Sequence, residues 1–73
     1  MSLLIVTAGR IEGIARDLRD RTTSIRRSAA GARWQSPGAR AFRGQLDELV
    51  GQLSECARDL DMLARLLREQ ARK

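Results

Sequence analysis

The residue types that carry most enzyme chemistry are scarce in this chain. It holds no His, no Tyr and a single Cys at position 56. That removes a His-centred triad, a Cys–His dyad, a zinc site of the usual nitrogen and sulfur kind, and any disulfide within the chain. Asp47, Glu48, Glu55, Asp59 and Asp61 stand at spacings that offer pairs with Arg43, Arg58, Arg65 and Arg68 along a helix surface, which is solvated pairing and not acid/base work. A carboxylate-bridged metal bundle would need Glu-x-x-His pairs facing its core, and no His exists to build them. A non-enzymatic protein is expected, without catalytic residues, cofactor or metal. Cys56 falls on a leucine seam and reads as a small buried hydrophobe. Trp34 is different: a lone Trp beside a turn either plugs the open end of a bundle or serves as an exposed recognition anchor, and both hold if the ring packs by one face.

The elements that must position these residues are helical. Of 73 residues, 42% are hydrophobic, 32% charged and only 3% aromatic, the aromatics being Trp34 and Phe42. This is helix composition, and a chain of this size buries only ~60% of its unfolded surface, so a lone monomer is marginal. The longest strictly apolar run, Leu3 to Val6, is too short for a membrane span or a signal-peptide core, and no basic stretch precedes it. Synthesis in the cytoplasm without a signal peptide is expected.

Gly31, Pro37 and Gly38 punctuate the middle of the chain. Pro37 suits a first helical position, and Ser36 before it can cap the next turn. A single domain over 1–73 is expected, with helix one at about 3–33, a turn at about 34–37 and helix two at about 37–71. In helix one, Leu4, Ala8, Ile11, Ala15, Leu18, Thr22, Ile25, Ala29 and Ala32 alternate at steps of four and three, large residues on one row and small on the other. Helix two continues with Phe42, Leu46, Leu49, Leu53, Cys56, Leu60, Leu63 and Leu67, flanked by Val50, Ala57, Ala64 and Ala71 on a neighbouring edge. Rods of roughly 45 and 54 Å joined by a tight turn form an antiparallel hairpin.

Two helices bury one stripe against each other. The edge at Val50, Ala57 and Ala64, with Ile14 and the Leu3 to Val6 cluster, is then expected to stay in water, which exceeds what soluble monomers usually expose. The expected fold is all-α, a two-helix hairpin that dimerises into a four-helix bundle. Its dimer seam takes in Leu4, Ile11, Leu18, Ile25, Leu46, Leu49, Leu53, Leu60, Leu63 and Leu67. Gly13 and Gly51 sit inside the helical pattern, marking either close helix contacts or solvent-face positions; each costs ~1 kcal/mol against Ala.

The stretch Trp34-Gln35-Ser36-Pro37-Gly38-Ala39-Arg40-Ala41-Phe42 resembles the turn of the WXG family, the small helical-hairpin substrates of type VII secretion. In that family Trp-x-Gly opens the turn, and a small residue followed by an aromatic begins helix two seven and eight positions after the Trp. Ala41 and Phe42 stand at those positions. Ser36 replaces the Gly of the pattern, and a glycine follows at Gly38. The wording is similar to a variant common among relatives in high-G+C Gram-positive bacteria, which agrees with the excess of Arg.

The resemblance implies a hairpin that pairs with a second WXG-like hairpin, a heterodimer being favoured over a homodimer, for export by a secretion ATPase of the FtsK/SpoIIIE type. Members that carry the export signal have Tyr-x-x-x-Asp or Tyr-x-x-x-Glu after helix two. With no Tyr before Lys73, the resemblance implies the tail-less partner, its Trp34, Ser36 and Gly38 lying beside the partner's tail and the protein secreted or held at the cell surface. Residues 1–33 hold seven Arg against Glu12, Asp17 and Asp20, which an acidic partner would complement.

The formal net charge is +5, and thirteen of the fourteen cations are Arg. That invites a nucleic-acid role as a small four-helix homodimer, with Arg16, Arg19, Arg26, Arg27 and Arg33 as contacts. High-G+C codon usage produces the same skew, and the charges are interspersed, so a solvated helix face is preferred to a phosphate-binding stripe. A cytosolic targeting chaperone for a larger WXG-like toxin would use the same seam as a co-secreted partner.

Overall fold

The computed structural model describes residues 2–73 as an all-α hairpin of two helices, α1 (Leu3–Gly31) and α2 (Pro37–Arg72), joined by residues 32–36. Local chemistry sets the helix starts. Ser2 caps α1, its hydroxyl accepting from the Leu4 amide at 3.2 Å, and Ser36 caps α2, accepting from the Ala39 amide at 3.0 Å. Pro37 occupies the first turn of α2, and the residue before a proline is held extended, as Ser36 is at φ −88 and ψ 156. The connection therefore reverses the chain with no residue at positive φ, glycine or otherwise. Gly31 closes α1 and Gly38 lies inside the first turn of α2.

The helices pack on their small rows. Ala8, Ala15 and Thr22 of α1 and Val50, Ala57 and Ala64 of α2 are the buried residues, each at most 5% exposed. They recur every seventh position on both helices, the spacing that keeps one seam facing a partner. Side chains this small let the helix axes approach closely. Thr22 is accommodated because its hydroxyl donates to the Leu18 carbonyl at 2.7 Å.

This corrects the expected packing of α2. Val50, Ala57 and Ala64 do not stay in water but face Ala8, Ala15 and Thr22 of the expected α1 seam, and the leucine rows beside them are half-buried. Alternating steps of three and four define two parallel rows on each helix, and close approach selects the smaller. Ile14 and Leu3 are exposed, whereas Leu4 and Val6 are half-buried. Cys56 is exposed because it stands one position before Ala57, about 100° round the helix from the seam.

Three cross-helix contacts follow the register that the seam sets. Arg68 pairs with Glu12, Arg19 pairs with Asp61, and Arg26 donates to the Ser54 hydroxyl at 3.4 Å. These residues climb α1 at 12, 19 and 26 and descend α2 at 68, 61 and 54, four positions after a seam residue in every case. The pairing runs between helices, so Asp61 and Arg68 do not serve the along-helix pairs that their spacing offers.

The result is a thin rod. Its extents are 56 × 15 × 11 Å and its radius of gyration is 16.8 Å, where a compact chain of 73 residues would have about 11 Å. Among the described residues no large side chain is fully buried.

Candidate functional site: the leucine face and the tryptophan turn

In an antiparallel pair, rows displaced in the same sense from the two seam rows lie on the same face of the hairpin. The rows four positions after the seam form the face that carries the three polar contacts. The rows four positions before it form the opposite face: Leu4, Ile11, Leu18 and Ile25 from α1, and Leu46, Leu53, Leu60 and Leu67 from α2. All eight are half-buried. Leu49 and Leu63 extend this face along the outer edge of α2 and are 47% and 45% exposed, and Phe42 continues the same edge at 57%. One side of the rod is thus a continuous apolar strip and the other carries the ionic contacts, with Ile5 exposed in the row of Glu12, Arg19 and Arg26 and with Met62 and Leu66 exposed on the outer side of α2.

The turn closes one end of this strip. The Trp34 indole donates from Nε1 to the Ala29 carbonyl at 2.8 Å, satisfying an acceptor in the last turn of α1 that the helix itself leaves short of partners. The Ala32 amide reaches the same carbonyl at 3.3 Å. Phe42 stacks on the indole, with centroids 6.2 Å apart and planes inclined by 27°, and the Arg43 guanidinium lies 5.8 Å from the indole centroid. Trp34 is therefore half-buried, held by its polar edge and stacked by its ring. It lines an apolar groove of about 330 Å³ with Ser24, Ile25, Ser28, Ala29, Ala32 and Leu46, which joins the turn to the leucine face.

The residues singled out at the turn separate into those brought together and those left apart. Trp34 and Phe42 are in contact, whereas Ala41 is exposed on the first turns of α2. Ser36 spends its hydroxyl on the cap. Gly38 has ordinary helical backbone and open space where a Cβ would stand. Arg43 and the Ala29 carbonyl were not anticipated. An Arg one position after the aromatic of helix two, and an Ala five residues before the Trp, are the signals that point to them.

The arginines considered for nucleic acid divide as well. Arg16, Arg19 and Arg26 share the ionic face, Arg27 stands farther round α1, and Arg33 follows the helix end. Among the described residues no three His, Cys, Asp or Glu side chains converge as metal ligands, and no helix is long and apolar enough to cross a membrane. Comparison with family models, with curated proteins and with solved structures finds no match.

Proposed function

We propose that this hairpin is a non-enzymatic, WXG-like substrate or co-substrate of type VII secretion, and that it pairs through its leucine face with a second, signal-bearing hairpin to complete a four-helix bundle. The observation that carries the pairing is the excess of surface. The hairpin exposes 5790 Å², where a globular monomer of 8.2 kDa exposes about 4500 Å². The surplus of roughly 1300 Å² exceeds the ~800 Å² that each partner contributes to a stable complex of standard size. Part of that surplus is the leucine face, and two such faces stacked together give the layered core of a four-helix bundle.

The secretion part rests on the turn. Trp34, Ala41 and Phe42 keep the family's spacing, and the stacked Trp34–Phe42 pair with its apolar groove opens onto the docking face, where a partner's tail would lie beside it. Export by a secretion ATPase of the FtsK/SpoIIIE type, with the protein secreted or at the cell surface, follows from the same resemblance. The same resemblance favours a heterodimer, with a homodimer as the competing assembly; Arg16, Arg19 and Arg26 face away from the leucine strip and do not decide between them.

Light scattering on size exclusion, with the chain alone and co-expressed with the product of the adjacent open reading frame, tests this. A one-to-one complex with a neighbour bearing Tyr-x-x-x-Asp or Tyr-x-x-x-Glu is expected. A stable monomer that ignores every such neighbour would refute it.

A further inference from the structure

The ionic face holds a second feature, independent of the pairing proposal. Midway along the rod, between the helices, lies an open cleft of about 410 Å³ lined by Arg19, Thr22, Thr23, Arg26, Ser54 and Arg58. Three guanidinium groups and three hydroxyls meet there, and no carboxylate lines it. Two of the arginines are held in place by neighbours. Arg19 pairs with Asp61, and Arg26 donates to the Ser54 hydroxyl. Ser54 in turn donates to the Val50 carbonyl at 3.0 Å, so its oxygen is left to accept from Arg26. Thr22 likewise spends its proton on Leu18, whereas Thr23 is exposed beside the cleft.

Charge balance narrows the ligand. Asp61 offsets Arg19, but among the described residues neither Arg26 nor Arg58 has a carboxylate within ion-pair distance. Arg26 and Arg58 therefore enter the cleft without a carboxylate bound to either guanidinium. The planar guanidinium fork matches phosphate oxygens, and an arginine already fixed by a neighbour loses less side-chain freedom when it binds. A phosphate monoester carries about −1.5 to −2 at neutral pH. The face holds neither Trp34 nor Phe42, so it has no aromatic platform on which nucleic-acid bases would stack.

We infer that the Arg19–Arg26–Arg58 cleft binds a phosphate dianion, free or carried as a phosphomonoester on a small organic body, with Arg26 and Arg58 as the principal ligands and Thr23 as a hydroxyl donor. The cleft is larger than a phosphate group needs, which leaves room for the carrier. It faces away from the leucine strip, so it stays open when a second hairpin docks there.

Calorimetric titration of the full chain at low salt tests this, with inorganic phosphate and adenosine monophosphate as separate probes and chloride as the control anion. Saturable one-to-one binding of at least one probe is expected. Tighter binding of the nucleotide identifies a phosphomonoester, and equal affinity identifies phosphate alone. Arg26→Ala and Arg58→Ala should each weaken binding about tenfold or more, the loss of a charge-assisted hydrogen bond. Arg72→Ala, at the far end of α2, should leave it unchanged, and circular dichroism establishes that each variant is helical. Arg26→Lys keeps the charge but not the fork, and should bind more weakly than the wild type. Absence of saturable binding, or an equal loss in the Arg72 variant, would overturn the site. Binding of duplex DNA without binding of either probe would also overturn it, and would assign the face to diffuse attraction for a polyanion.

Discussion

The seam inside the hairpin and the strip beside it are built on the same seven-residue repeat and differ chiefly in side-chain size. Ala8, Ala15, Thr22, Val50, Ala57 and Ala64 are buried; Leu4, Ile11, Leu18, Ile25, Leu46, Leu53, Leu60 and Leu67 are half-buried. Burying alanine removes little apolar area from water, so the inner seam supplies close fit and only modest hydrophobic stabilisation. The larger side chains, which would supply most of that stabilisation, lie where a second molecule can cover them. The helices meet on their small residues within the chain and leave their large ones half-buried beside the seam, and the size difference between two rows, about 50° apart on each helix, is what separates the inner seam from the face proposed for a partner.

Substitutions on the two rows should fail in different ways. Leu53→Asp with Leu60→Asp places two charges on the docking face and should abolish the complex in light scattering, since an unpaired buried charge costs several kcal/mol. Leu49→Asp with Leu63→Asp, at more exposed positions, should do the same while leaving the helical circular dichroism of the chain intact. Ala15→Leu attacks the inner seam instead. Overpacking costs about 1–3 kcal/mol, so the thermal midpoint of the hairpin should fall before any partner is added. A variant with unchanged melting would mean that the helices are not packed on their small rows.

Trp34→Ala removes the cap on the Ala29 carbonyl and the stack on Phe42. About 2 kcal/mol of stability should be lost, less than for a fully buried Trp. Denaturant unfolding of the Trp34 and Phe42 alanine variants, singly and together, measures the coupling between the two rings, expected at about 1 kcal/mol. The smallest effect is a gain. Gly13 and Gly51 have open space where a Cβ would stand and no positive φ, so alanine at either should stabilise the hairpin by up to about 1 kcal/mol. Neither lies on the leucine strip, so partner affinity should not change. That result would also settle their role, since close helix contacts would make alanine destabilising.

Local chemistry made the helix starts legible, whereas α1 ends at Gly31, two residues before the expected limit. Ser36 and Pro37 each act within a few residues of their own position, and α2 begins at Pro37, where they placed it. Gly31, Pro37 and Gly38 marked the place of the turn, and an extended Ser36 and the Trp34 bond to Ala29 shape it without left-handed backbone. The inner seam was not legible in the same way. Steps of three and four fit the small row and the large row equally well, and the choice depends on how closely two distant segments approach. The misplacement of Cys56 has the same origin, because a leucine row taken as the buried seam carries its cysteine inward with it. The ionic cleft was hidden for another reason. Arg26 and Ser54 are 28 residues apart, and only the register of the antiparallel pair brings them together among charges that read in sequence as an ordinary solvated surface.

Cys56 offers the most direct test of the docking face. It is exposed in the hairpin and stands between Leu49 and Leu63 on the outer edge of the leucine strip. The measurement is the rate at which its thiol reacts with a soluble disulfide reagent, in the free chain and in the proposed complex once size exclusion has isolated it. Thr23→Cys, in a Cys56→Ser background, supplies the matching probe on the ionic face. A second hairpin seated on the leucine strip should protect Cys56 strongly and leave the thiol at position 23 reactive. A complex that leaves Cys56 fully reactive and protects position 23 would contradict the account.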